Sequence, residues 1–255
     1  MELGFFDCDI CVGARNIAYP ESYDAGAPDI GWLAAAMERY GITKALAYHS
    51  MAREYNATIG NTMLPDALRG MDNLLPVWVV MPHHTGEFCS PQELTEKMKT
   101  CGVKAARMFP AEQDHRYGIN ERNCGALFAA LENCGIPVLI GIDQLTWDEL
   151  CSICEHHHAL KIILCNLDYS INRNLYPILS QYENIFLETF GYKVQNGIEE
   201  ICHKFGAGRL VFGSGMPRCS GAAAVSMISY ARISDDEKKM IAHGNLENLI
   251  GMVYT

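Results

Sequence analysis

Eight short apolar runs recur along the chain, spaced by segments with helical punctuation, and this rhythm restricts the fold more than any other feature. The runs are "GFFDCDI" from Gly4, "KALAYHS" from Lys44, "PVWVVMP" from Pro76, "AARMFP" from Ala105, "PVLIGID" from Pro137, "KIILCN" from Lys161, "IFLETF" from Ile185 and "LVFGSG" from Leu210. Most are nearly continuous in apolar residues, as parallel strands covered on both faces require. Between them, Ser90–Glu93, Thr146–Glu149 and Ser234–Glu237 have the spacing of capping boxes, and Gly41, Gly102, Gly135 and Gly206 stand where helices should stop. Eight strand–helix units in 255 residues predict an α/β fold, a single (β/α)8 TIM barrel, with residues 1–255 as one domain. No linker, low-complexity tract or charge block divides them. A doubly wound open sheet would call for a nucleotide fingerprint, and the glycines near Gly206 and Gly213 do not make GxGxxG.

Composition narrows the partners. With 20 Lys and Arg against 30 Asp and Glu, the net charge is -10, which argues against nucleic acid. No apolar run approaches the roughly 18 residues that a membrane span needs, and the acidic start "MELGFFDCD" does not read as a signal peptide. The 11 cysteines are odd in number and scattered, so they are expected to be reduced thiols in a cytoplasmic protein.

A barrel of this kind does its chemistry at the C-terminal ends of the strands. The polar residues delivered there are Asp9, Cys11, His49, His83, His84, Arg107, His115, Asp143, Asn166, Asp168, Glu188, Ser214 and Arg218. On the first strand, Asp7, Asp9 and Cys11 alternate, so all three could share one face and are groups that can hold a metal. Arg107 and Arg218 suit a carboxylate or phosphate.

Across nearly its whole length the chain resembles the amidohydrolase-related (amidohydrolase 2 type) proteins. "FFDCDICVG" is similar to that family's opening DxHxHxG strand, "GVKAARMFP" to its fourth strand, "IPVLIG" to its fifth and "LKIILCNLD" to its sixth. "GAGRLVFGSGMPR" is similar to the eighth, RLLFGSDxP, and "EKKMIAHGNLENLIG" to the closing helix. The resemblance implies a barrel that hydrolyses C–N or C–O bonds or decarboxylates small acids with a bound metal. Every metal position of the pattern is nevertheless altered. The two first-strand histidines are Asp9 and Cys11, the fifth-strand histidine is Gly141, the sixth-strand histidine is Asn166, and the eighth-strand aspartate is Gly215. Glycine offers no ligand and a neutral amide is a poor one for zinc, so no metal cofactor of the family's type is expected. Gly215 also removes the base that would handle the proton of an attacking water.

Other readings compete. Asp143 and Asp168 stand two residues beyond lost ligands and could rebuild a displaced metal site with Asp9, Cys11, His49 and His83, or they could simply turn their loops. "CSICEHHH" from Cys151 resembles a zinc motif but falls on the helix after the fifth strand, away from the active face. The stretch Gly213–Gly221 could seat an anion with Ser214, Arg218 and Ser220. The sequence therefore leaves two main functions. One is an enzyme, a hydrolase or lyase on a small polar or anionic metabolite, with Asp9 and His49 as proton carriers and Asn166 as hydrogen-bond donor. In it Arg107 holds a carboxylate or lactone oxygen, and His83, His115, Asp143, Glu188 and Arg218 line the substrate. The other is a non-catalytic descendant that binds a metabolite or a partner. Self-association as a homo-oligomer fits either.

Overall fold

A computed structural model describes residues 3–14 and 29–254. Eight strands form one parallel sheet in sequence order: β1 (Phe5–Val12), β2 (Ile42–His49), β3 (Leu74–Val79), β4 (Ala105–Met108), β5 (Val138–Gly141), β6 (Ile162–Cys165), β7 (Ile185–Glu188) and β8 (Leu210–Val211). The Cys8 amide donates to the Phe212 carbonyl at 2.9 Å, bringing the last strand back to the first. The expected barrel is present, nearly closed. All eight apolar runs supply a strand, and their outer faces pack under the helices as one continuous core. Each fully buried Leu or Phe there is worth about 1.5–3 kcal/mol relative to exposure.

The helices are α1 (Ile30–Tyr40), α2 (Ser50–Glu54), α3 (Ala57–Ala67), α4 (Pro91–Thr100), α5 (Glu121–Asn133), α6 (Trp147–His156), α7 (Asn172–Gln181), α8 (Gly197–Phe205), α9 (Gly221–Ser229), α10 (Asp235–Lys239) and α11 (Asn245–Gly251). Their starts follow the punctuation. Thr146 and Ser234 make reciprocal capping boxes with Glu149 and Glu237, and Ser90 accepts from the Glu93 amide. Gly41, at φ 68°, ends α1 in the left-handed conformation that favours glycine. Among the described residues no helix is long and apolar enough to cross a membrane.

Register positions the site. Arg107, Leu139, Ile163 and Phe186 are partners across β4 to β7, so they share a layer. Two residues further on, Gly141, Cys165 and Glu188 face the same way, one layer nearer the mouth. In β1 the alternation expected from the sequence is uneven. The register shifts between Asp7 and Ile10, which separates the roles of the two aspartates.

Candidate functional site

At the base of the site, Asp7 is fully buried and accepts the Ser214 amide at 3.2 Å with both oxygens, and the Asp9 amide at 3.1 Å. Burial pushes its carboxyl up to about 6, against the pull of those hydrogen bonds. This group clasps β1 to the end of β8 and is spent on closing the barrel.

One layer higher, Arg107 is 2% exposed and donates from Nη2 to Asp9 Oδ2 at 3.0 Å. Burial opposes its charge, but Asp9 first, then Cys165, Tyr48 and Glu188, outweigh it and hold the guanidinium ionised. Its Nε and Nη1 atoms are buried and have no hydrogen-bond partner among the described residues. Glu188 is also buried and takes the Asn166 amide on Oε2 at 3.2 Å. Burial and then the charge of Asp9 lift its carboxyl well above the ordinary range, with Arg107 pulling the other way. Burial likewise pushes the Cys165 thiol up.

These groups open onto a pocket of about 40 Å³ lined by Asp9, Cys11, Tyr48, Arg53, Arg107, Asn166, Glu188, Phe190 and Gly215 to Arg218. That is room for a water or two, or for one carboxylate group. Beside it, sharing Cys11 and Pro217, lies a hollow of about 440 Å³ whose wall includes the apolar Val12, Ile30, Leu33 and Ala67 and the carboxylates Asp29 and Asp66.

The structure gathers Asp9, Arg107, Asn166, Glu188 and Arg218 around the pocket. Arg218 lies over the Phe190 ring at 5.6 Å and donates to Asn166 Oδ1 at 3.4 Å, while Asn166 Nδ2 donates to Asp143 at 3.2 Å. Asp143 thus stands behind Asn166 and does not line the pocket. The histidines go elsewhere. His49 Nδ1 accepts the Met51 amide at 3.1 Å and caps α2, and burial lowers its pKa. His115 Nε2 sits 2.9 Å from the Arg53 carbonyl, edge-on to Phe109, and burial lowers its pKa also. His83 stacks on His84 with centroids 4.5 Å apart.

Asp168 receives the amide of Tyr169, a turn role. In the Gly213–Gly221 stretch, the Ser214 hydroxyl accepts from the Met216 amide and Ser220 caps α9, leaving Arg218 as its charged contribution to the pocket. Of the "CSICEHHH" segment, Cys151 to His156 lie on α6, with the His156 ring bonded to Ser152 of the same helix, while His157 follows its end and is buried between Glu121 and Glu132. Sequence reasoning missed Tyr48, Arg53 and Phe190, which carry no motif. Their positions just inside or after strand ends were the available signal.

The amidohydrolase family model matches residues 14–251. The chain belongs to the amidohydrolase family. No curated protein matches its sequence. Among solved structures, this amidohydrolase is similar to a 2,6-dihydroxybenzoate decarboxylase complexed with 2,6-dihydroxybenzoate, at TM-score 0.76 and 13% identity over 98% of this chain and 99% of the other. It is also similar to a probable 2-pyrone-4,6-dicarboxylic acid hydrolase from Acinetobacter baumannii with citric acid bound, at 0.69 and 14% over 98% and 100%. A third is a dihydroxybenzoic acid decarboxylase from Polaromonas with bound manganese and an inhibitor, at 0.69 and 14% over 98% and 97%. At such identities the likeness establishes the fold.

Two positions where the family resemblance implies metal ligands are crowded in this chain. A Cβ at Gly141 would lie 2.2 Å from Asp143 Oδ1 and 3.0 Å from Asn166 Nδ2, so neighbouring side chains fill the place of the lost ligand. At Gly215, with φ 72°, a Cβ would lie 2.4 Å from the Phe190 ring.

Proposed function

We propose that this amidohydrolase barrel binds a small carboxylate or lactone at its mouth and acts on it, as a hydrolase or lyase, without the family's metal ion. The observation that supports this is Arg107, a buried guanidinium with two nitrogens left without acceptors. A buried donor without a partner costs about 1–3 kcal/mol, more when charged, and an incoming carboxylate offsets that cost. The small pocket takes the carboxylate head, and the hollow beside it takes the body of the ligand. Asn166 and Arg218 hold the outer side, and Asp9 and Glu188 are the groups at hand to carry a proton. The 11 cysteines, all free, fit a cytoplasmic setting.

A second reading, binding without turnover, is favoured by Gly215, which stands where the family keeps its acid–base aspartate. Titration with 2,6-dihydroxybenzoate, citrate and smaller acids, read by calorimetry and thermal shift, tests both. A bound acid at about 100 times its Kd should stabilise the fold by about 2.7 kcal/mol. Mass detection of product then separates turnover from binding. The ligand assignment fails if no acid binds, or if R107M binds as the parent does.

A further inference from the structure

Three groups with metal-binding chemistry meet near the barrel axis. Asp9 from β1, Cys165 from β6 and Glu188 from β7 each offer one atom, and these atoms lie within 4.8 Å of one another. Three such ligands with an open fourth position is the number a catalytic zinc uses. Yet the cluster already has a cation. Arg107 Nη2 is 3.0 Å from Asp9, and among the described residues Arg107 is the only cationic side chain hydrogen-bonded to any of the three. A guanidinium does not give up its proton, so this positive charge is permanent. It arrives from β4 in register with Leu139, one layer below Gly141, Cys165 and Glu188.

We propose that the Arg107 guanidinium is the resident cation of this barrel, neutralising the Asp9–Cys165–Glu188 cluster and keeping a divalent ion out of it. The half-buried Asp9 and the buried Glu188 call for a counter-charge, and the guanidinium supplies a positive one without any ligand geometry. A divalent ion brought to the same atoms would meet that charge at close range, in surroundings that screen poorly. The inference goes beyond the ligand reading: it concerns what holds the cluster together, and it stands whether or not a carboxylate binds.

The test is a titration of chelator-treated parent, Arg107→Met and Arg107→Lys with Co2+ and Zn2+. Removing the guanidinium should let R107M take up about one Co2+ per chain, at least about 100-fold more tightly than the parent. A thiolate-to-cobalt absorption band should accompany uptake and vanish when Cys165→Ser is added. R107K keeps a cation and should refuse the metal as the parent does. If R107M folds only when Zn2+ is supplied during refolding, that rescue is the same positive result. The proposal is overturned by a parent that binds Co2+ as tightly as R107M, by R107K that takes it equally well, or by R107M that takes none, folded or not. Because no carboxylate enters this experiment, its failure is distinct from failure of the ligand assignment.

Discussion

Arg53 and Arg107 rest on the same ring, their guanidinium carbons 4.5 and 4.8 Å from the Phe109 centroid, and end in opposite states. Arg53 donates from Nε and Nη2 to the two oxygens of Asp114 at 2.8 and 3.1 Å, and Gln144 donates to the same carboxylate at 2.9 Å. That pair ties α2 to the loop after β4. Arg107 uses one nitrogen on Asp9 and leaves two without partners. Residue type, ring contact and charge are the same, so satisfaction is what separates a strut from a site. Arg53 commits one edge of its guanidinium to Asp114, whereas Arg107 keeps two buried nitrogens for an acceptor.

The largest effect should come from breaking the unsatisfied member. Arg107→Met leaves Asp9 without its counter-charge and should cost about 3–5 kcal/mol in metal-free urea unfolding, together with any carboxylate affinity. A variant as stable as the parent would erase the distinction drawn here. Next comes Gly215→Asp, which returns the family's residue type to a position with φ 72° and a wall 2.4 Å away. We expect a loss of about 2–4 kcal/mol from strain and overpacking, and no gain of metal by elemental analysis.

Breaking the satisfied member should be milder and confined to stability. Asp114→Asn is expected to cost about 1–3 kcal/mol, while carboxylate affinity by calorimetry stays within about twofold. A larger loss of affinity would make the strut part of the site. Its pH dependence sharpens the point. Asp114 is itself partly buried, which works against ionisation, but the Arg53 hydrogen bond and charge outweigh this and hold its carboxyl below the usual range. Its contribution is therefore complete above the ordinary aspartate pKa and is lost as pH falls through the lower folded value. Parent minus D114N stability, followed by urea unfolding down the acid limb, should shrink on acidification; a difference that grows would reverse the assigned sign. The smallest effect is expected from Arg218→Ala at the exposed rim, about two- to fivefold in carboxylate affinity, the worth of a solvated ion pair.

Much of the fold was legible because its signals are local. Apolar runs, capping spacings and glycine stops act within a few residues, and all eight runs became strands. The site was legible only in part. Asp9, Arg107, Asn166, Glu188 and Arg218 line the pocket, whereas His49, His83 and His115, equally plausible at strand ends, do not.

What the sequence determined by itself was the order of the strands and the helix starts. Only the tertiary structure decided which polar groups were used up and which were left. The reason is distance along the chain. Asp7 finds the Ser214 amide 207 residues away, Arg53 finds Asp114 61 residues away, and Arg107 finds Asp9 98 residues away. A periodic pattern says which face a side chain takes, but its hydrogen-bond partner is chosen by whatever the closed barrel brings opposite it.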